Sequence, residues 1–164
     1  MSAAGNGNDE LRELYRELIL DHARSPRHFG KLEGATHSAQ GINPLCGDKL
    51  KMYFRVDADG RISDARFEGS GCAISVASAS LLMETVIGQR TERALEFFTA
   101  MVNRLANRPG ASDSQSAVQE EIDLGKLRAL EGVREFPTRV KCATLAWHAL
   151  NSALQDDARP VSTE

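Results

Sequence analysis

The chain contains three cysteines, and each lies where a structural element is expected to turn or begin. Cys46 belongs to the run Asn-Pro-Leu-Cys-Gly-Asp, Cys72 follows Gly-Ser-Gly, and Cys142 lies shortly after a Phe-Pro pair. Cysteine thiolates bind zinc and also act as nucleophiles. Because no two of them form a C-x-x-C pair, their spacing alone is a weak indication of a shared metal site. Ligands at the ends of different elements can nevertheless converge on one point.

Cys46 and Asp48 form the first candidate pair. Gly47 between them lets the backbone bend tightly, so that both side chains can point toward one ion. A thiolate and a carboxylate are both zinc ligands. In the alternative interpretation, Asp48 caps nearby amides of the turn and Cys46 fills a small gap.

Cys72 and Cys142 are each expected near the beginning of a helix. The free N–H groups and the dipole at that end favour the thiolate form, which suits metal binding and nucleophilic attack. Alternatively, each is a small buried hydrophobic residue, as free cysteines often are. Lys141, beside Cys142, is predicted to be a solvated surface residue, with guidance of a partner as the alternative.

The histidines add no ligand to this set. His22 lies on the apolar face of the predicted first helix and is interpreted as a packing residue. His148 lies about 240° around the last helix from Cys142, so it is not expected to share a site with it. The sequence also contains no Ser–His–Asp arrangement, phosphate loop or dinucleotide fingerprint.

The elements that must position these residues follow an α+β order. Alternating apolar residues predict a strand over 49–56, and Asp59-Gly60 predicts a hairpin to a second strand whose slipped alternation indicates a bulge. The expected architecture is a small antiparallel sheet of about three strands packed against several helices. Predicted helices span 9–24, 72–87, 91–107, 117–130 and 139–154, and predicted strands span 36–39, 49–56 and 61–68.

The composition predicts one domain over 9–155, with a flexible tail at 1–8 and a polar tail at 156–164. The length of 164 residues suits a single core, and the net charge of −3 does not favour a nucleic-acid partner. No apolar run is long enough to span a membrane and no secretory signal is visible, so a cytoplasmic location is expected. An odd number of cysteines in a reducing compartment also argues against structural disulfides.

The three cysteine motifs, taken together, resemble those of the NifU/IscU-like family of iron–sulfur cluster assembly proteins. The similarity runs from about Leu11 to Leu154 and includes the opening helix, so it implies the fold of the IscU/NifU N-terminal domain. Within the family the chain resembles the SufU branch. Lys141 stands where scaffold members carry a histidine, and residues 104–132 form a segment that they lack.

This resemblance implies that zinc is held by Cys46, Asp48, Cys72 and Cys142. It also implies a SufS-type, pyridoxal-phosphate-dependent cysteine desulfurase as partner, one of whose histidines replaces Cys46 on the metal. Cys46 then accepts the outer sulfur of the desulfurase persulfide and carries it away, and the downstream Suf assembly machinery is implied as a further partner. Two alternatives remain: a scaffold that transiently binds an iron–sulfur cluster, and a structural zinc-binding interaction module.

Overall fold

Helices and strands follow one another along the chain in the order that the sequence predicts. The computed structural model describes residues 6–106, 122–155 and 161–163. The α+β class is confirmed. The helices are α1 (Asn6–Arg24), α2 (Ala73–Val86), α3 (Thr91–Ala106), a 3₁₀ helix (Gly125–Glu135) and α4 (Pro137–Leu154); the strands are β1 (His37–Asn43), β2 (Asp48–Val56), β3 (Ile62–Ser70) and β4 (Val161–Ser162).

The sheet is built around β2. The strand order is β3-β2-β1-β4, and β2 pairs antiparallel with both β1 and β3. Alternation along β2 buries Leu50, Met52 and Phe54 under the helices, as its sequence pattern predicts. The pairing slips at the end of β2, where Arg55 faces Asp64 but Val56 faces Ile62. This irregularity confirms the predicted bulge.

The fourth strand departs from the expected three-stranded antiparallel sheet. Val161 and Ser162 pair parallel with Gly41 and Ile42, within a stretch predicted to be a polar tail. Only backbone groups make this pairing, so the side-chain pattern carries little signal for it. Likewise α1 begins at Asn6 rather than near Asp9.

The segment between α3 and α4 also differs from the prediction. A 3₁₀ helix over Gly125–Glu135 stands in place of the second half of the predicted helix 117–130 and continues through the loop that was expected before Pro137. Residues 117–121 of the predicted helix lie outside the described residues, as does most of the extra segment 104–132. The division into one domain with two tails therefore stays a prediction.

The helical layer covers one face of the sheet, with α4 against β1 and β2 and α2 beside it. The Ala/Ser-rich sequence of α2 permits close approach, and the Ser78 hydroxyl donates to the Ala143 carbonyl of α4 at 2.6 Å. Trp147 of α4 is fully buried in the resulting core. None of the described helices is long and apolar enough to cross a membrane.

His22 joins α1 to α2 through a buried hydrogen-bonded chain. Its Nδ1 lies 2.7 Å from the Ser80 hydroxyl oxygen, which also accepts the Arg27 backbone N–H at 2.8 Å. Its Nε2 lies 3.3 Å from a Glu84 carboxylate oxygen. Because an ionised carboxylate only accepts hydrogen bonds, the proton of the neutral imidazole is assigned to Nε2, which faces Glu84, and Nδ1 then accepts from the Ser80 hydroxyl. The interpretation of His22 as a packing residue is confirmed.

This network predicts a loss of stability in acid. Burial lowers the pKa of His22 from its ordinary value of 6.5, with the charge of Arg27 adding to the effect. As the pH falls below about 6.5, His22 binds a proton in the unfolded chain but stays neutral in the folded chain. The free energy of unfolding therefore decreases. Urea unfolding at about pH 7.5 and about pH 5.5 should show this decrease. His22→Gln should flatten it, whereas an equally steep decrease in that variant would contradict the assignment; His28→Gln, at an exposed position, is the control.

Candidate metal centre

Three of the four predicted ligand residues meet at one end of the sheet. Cys46, Asp48 and Cys142 each offer an atom within 4.8 Å of the others, and the two sulfurs lie 3.3 Å apart. We call these three residues the thiol centre. Asp48 and Cys142 are fully buried, whereas Cys46 is half-buried. The centre is therefore accessible from the side of Cys46.

The turn between β1 and β2 positions Cys46 and Asp48. Asn43 and Asp48 face each other across the two strands, and the Cys46 backbone N–H donates to the Asn43 carbonyl at 3.2 Å. Gly47 has a φ of +70°, which an L side chain adopts only with strain. The tight bend expected from this glycine is therefore present, and it brings both side chains to the same end of the hairpin.

The Asp48 carboxylate is held by three donors. One oxygen, Oδ1, accepts the Cys72 backbone N–H at 2.8 Å and the Ser75 hydroxyl at 3.2 Å. The other, Oδ2, accepts from the Asn43 amide at 3.3 Å. A side chain at Gly71 would bring its Cβ to 2.6 Å from Oδ1, so only glycine permits this approach of α2 to the carboxylate. The donors fix the carboxylate beside the two sulfurs.

Cys72 reaches the thiol centre through its backbone. It precedes α2 as the N-cap residue, and its Sγ lies 3.9 Å from the Ser75 hydroxyl. Its sulfur is not in the described group of ligand atoms that lie within 4.8 Å of one another. The structure therefore places the fourth predicted ligand next to the centre, with its backbone N–H on Asp48.

Cys142 lies on the second turn of α4, which begins at Pro137. Burial raises the pKa of its thiol, and the neighbouring Cys46, Asp48 and Cys72 raise it further. A positive charge beside the Cys142 sulfur would lower the pKa of this thiol, because it would favour the thiolate form. Thiolates with one carboxylate are a donor set that zinc accepts, so these residues fit that ion.

Arg139 supplies a positive charge close to the sulfurs, and sequence reasoning gave it no role. Arg139 is exposed, and the negative charge that Cys72 and Cys142 carry as thiolates raises the pKa of its guanidinium group. Its position three residues before Cys142, one turn earlier on α4, is the signal that could have identified it. Lys141 lies on the same helix, and its backbone carbonyl accepts a hydrogen bond from the Thr163 hydroxyl at 3.1 Å.

The fold and the thiol centre together define a small α+β domain with a cysteine-rich centre at one end of its sheet. The pattern of the NifU-like N-terminal domain family matches residues 14–143. The chain belongs to this family, as the resemblance of its cysteine motifs indicates.

Relatives extend the match over most of the chain. The zinc-dependent sulfurtransferase SufU of Bacillus subtilis is 37% identical over 90% of this chain and 93% of its own. The iron–sulfur cluster assembly scaffold protein IscU of Thermotoga maritima is 41% identical over 92% of this chain and 99% of its own. The crystal structure of a putative SUF-system scaffold protein from Fervidobacterium islandicum superposes with a TM-score of 0.72 at 35% identity, over 84% of this chain and 94% of that one.

Relatives with both names, sulfurtransferase and scaffold, cover about nine-tenths of the chain. The family is therefore established by similarity, whereas the activity has to be argued from the residues of the thiol centre.

Proposed function

We propose that this protein is a zinc-dependent sulfurtransferase that accepts persulfide sulfur on Cys46 from a SufS-type cysteine desulfurase and supplies iron–sulfur cluster assembly. The observation that supports this proposal is the arrangement of the two sulfurs of the thiol centre. The half-buried Cys46 lies in a surface turn, and its Sγ is 3.3 Å from the Sγ of the fully buried Cys142. Only the accessible member of such a pair can meet a sulfur donor on another protein.

The proposed zinc ligands are Cys46, Asp48, Cys72 and Cys142. Bound zinc would supply the positive charge that keeps the thiols deprotonated. Asp48 needs no rearrangement, since three donors already hold it. Cys72 has its backbone N–H fixed on Asp48, so rotation about its Cα–Cβ bond is the movement that directs its sulfur toward the others.

The transfer step is thiolate attack on a disulfide-like bond. The Cys46 thiolate attacks the outer sulfur of the partner's cysteine persulfide, and a new S–S bond forms on Cys46. The old S–S bond breaks, and its electron pair leaves on the partner's cysteine as a thiolate. One persulfide is exchanged for another, so no external oxidant or reductant is needed. Arg139, exposed beside the sulfurs, offers a cation to the anionic groups of this step.

Two exposed apolar side chains beside the centre support docking of a partner protein. Leu45, next to Cys46, is 66% exposed, and Phe136, just before α4, is 57% exposed. Contiguous exposed apolar patches mark protein–protein contacts, and we propose that these two side chains contribute to such a patch. The desulfurase is the proposed occupant, with the Suf assembly machinery as the later recipient of the sulfur.

Native mass spectrometry of the purified protein tests the proposal. The spectra are recorded before and after incubation with the desulfurase and cysteine, under anaerobic and non-reducing conditions. We expect one bound zinc beforehand, and afterwards one added sulfur that peptide mapping assigns to Cys46. Zinc without added sulfur would overturn the transferase assignment in favour of a structural zinc module.

The scaffold function is the second candidate, and the Thermotoga maritima relative with that name favours it. Thiolates bind iron–sulfur clusters as well as zinc. Iron and sulfide in place of zinc in the same spectra would support the scaffold. The transferase proposal requires zinc and a persulfide on a single cysteine.

A further inference from the structure

Asn43 is a buried amide with no role in the proposed function. It is the last residue of β1, is fully buried, and faces Asp48 across the hairpin. Its Nδ2 lies 3.3 Å from Asp48 Oδ2 and 3.5 Å from Cys142 Sγ. One amide group therefore contacts two members of the thiol centre.

The orientation of this amide follows from its neighbours. A carboxylate oxygen only accepts hydrogen bonds, so the N–H side of the amide must face Asp48. The amide oxygen, Oδ1, is then buried without a hydrogen-bond partner among the described residues. An unpaired buried oxygen destabilises a fold, and an apolar side chain of similar size would avoid it. The donor side of Asn43 is thus the part of the residue that the centre uses.

The donors around the centre are distributed unequally. Asp48 receives the Cys72 N–H, the Ser75 hydroxyl and the Asn43 amide, and Cys142 also contacts that amide. Within the described part of the chain, the one hydrogen-bond contact of the Cys46 sulfur is with Cys142. Groups that orient a ligand from outside the first coordination sphere hold it in place. Among residues 6–106, 122–155 and 161–163, no such group contacts the Cys46 sulfur.

We infer that Asn43 is a positioning residue that divides the centre into a fixed pair, Asp48 and Cys142, and one exchangeable thiol, Cys46. The inference rests on the proposed function, in which the centre holds zinc. With zinc bound, the division would favour Cys46 over Cys142 as the thiol released to a sulfur donor. The Asn43 backbone contributes as well, because its carbonyl accepts the Cys46 N–H and shapes the turn.

The test combines zinc affinity with the relative rates of alkylation at Cys46 and Cys142. Zinc-loaded wild type, Asn43→Ala and Asn43→Asp are titrated with a competing chelator and, separately, treated with iodoacetamide, followed by peptide mapping. The first variant removes the donors, and the second replaces them with acceptors of nearly the same shape. Gln40→Ala and Gln40→Glu make the corresponding changes on the exposed side of β1 and serve as matched controls.

We expect wild type and both controls to be alkylated first at Cys46. Both Asn43 variants should bind zinc about 10- to 100-fold more weakly, and the ratio of alkylation at Cys46 to alkylation at Cys142 should fall below that of wild type, although the more accessible Cys46 is still modified first. A purely structural role would lower the melting temperature without changing this ratio. Wild-type zinc affinity together with a wild-type alkylation ratio in the Asn43 variants would overturn the inference. If Asn43→Asp fails to fold, Asn43→Ala decides, and a wild-type protein that binds no zinc would refute the proposed function itself.

Discussion

Cys46→Ser should reduce sulfur acceptance from the desulfurase by at least about 10³-fold, because a serine hydroxyl stays protonated and cannot attack the persulfide. The fold should tolerate the change, since Cys46 lies in a surface turn between exposed neighbours. Radiolabelled sulfur transfer from cysteine through the desulfurase measures the effect directly. Thermal unfolding of the same samples shows that the variant is folded.

Cys142→Ser and Cys72→Ser provide the comparison. Cys142 is fully buried, so its replacement should weaken metal binding and stability together. Cys72→Ser should lose transfer mainly through loss of zinc, and added zinc should restore part of it. The nucleophile assignment would be refuted by a Cys46→Ser protein that takes up sulfur at the wild-type rate.

Gly69→Ala should lower the free energy of unfolding by about 3 kcal/mol or more. Gly69 has a φ of +140°, and a Cβ there would lie 2.0 Å from the Lys49 carbonyl oxygen of the neighbouring strand. Because Gly69 pairs with Leu50, the overlap can be relieved only by separating β2 from β3. That separation would also displace Asp48 from Cys72, so zinc binding should fall with stability.

Gly60→Ala is the matched control for this prediction. Gly60 also has a positive φ, +82°, but no atom lies within 4 Å of the position that a Cβ would occupy. Gly60→Ala should therefore lower the free energy of unfolding only by the backbone strain of the added side chain, about 1–2 kcal/mol. Urea unfolding of both variants gives the two free energies. A Gly69→Ala loss no greater than that of Gly60→Ala would mean that the strands can accommodate the methyl group.

Much of the fold could be predicted because it depends on local patterns. Strict alternation in β2, the Asp59-Gly60 turn and the small residues of α2 each leave a clear signal in the sequence, and the bulge was visible from the shifted phase of Ile62. Strand β4 and the 3₁₀ helix leave weaker signals. The first consists of two residues paired through their backbones, and in the second Leu127, Leu130 and Val133 recur every three residues, which differs from the 3.6-residue period of an α-helix.

The thiol centre was predictable in part for the same reason. Cys46, Gly47 and Asp48 are neighbours in sequence, so their common turn follows from local geometry. The outward-facing cation of Arg139 and the buried amide of Asn43 acquire meaning only when α4 packs against the hairpin. No periodicity in a single chain reports such long-range contacts.

The two sulfurs of the thiol centre come from residues 96 positions apart in the chain. A contact of such long range carries a large loop-closure cost, and it cannot form before the last helix docks on the hairpin. During synthesis on the ribosome, residues 43–48 are therefore exposed well before α4 has been made. The first half of the nascent chain can offer one carboxylate and two thiols, but not the complete pocket. Tight metal binding should therefore require the complete chain, and a bound ion would raise the free energy of unfolding because it joins the hairpin to the last helix.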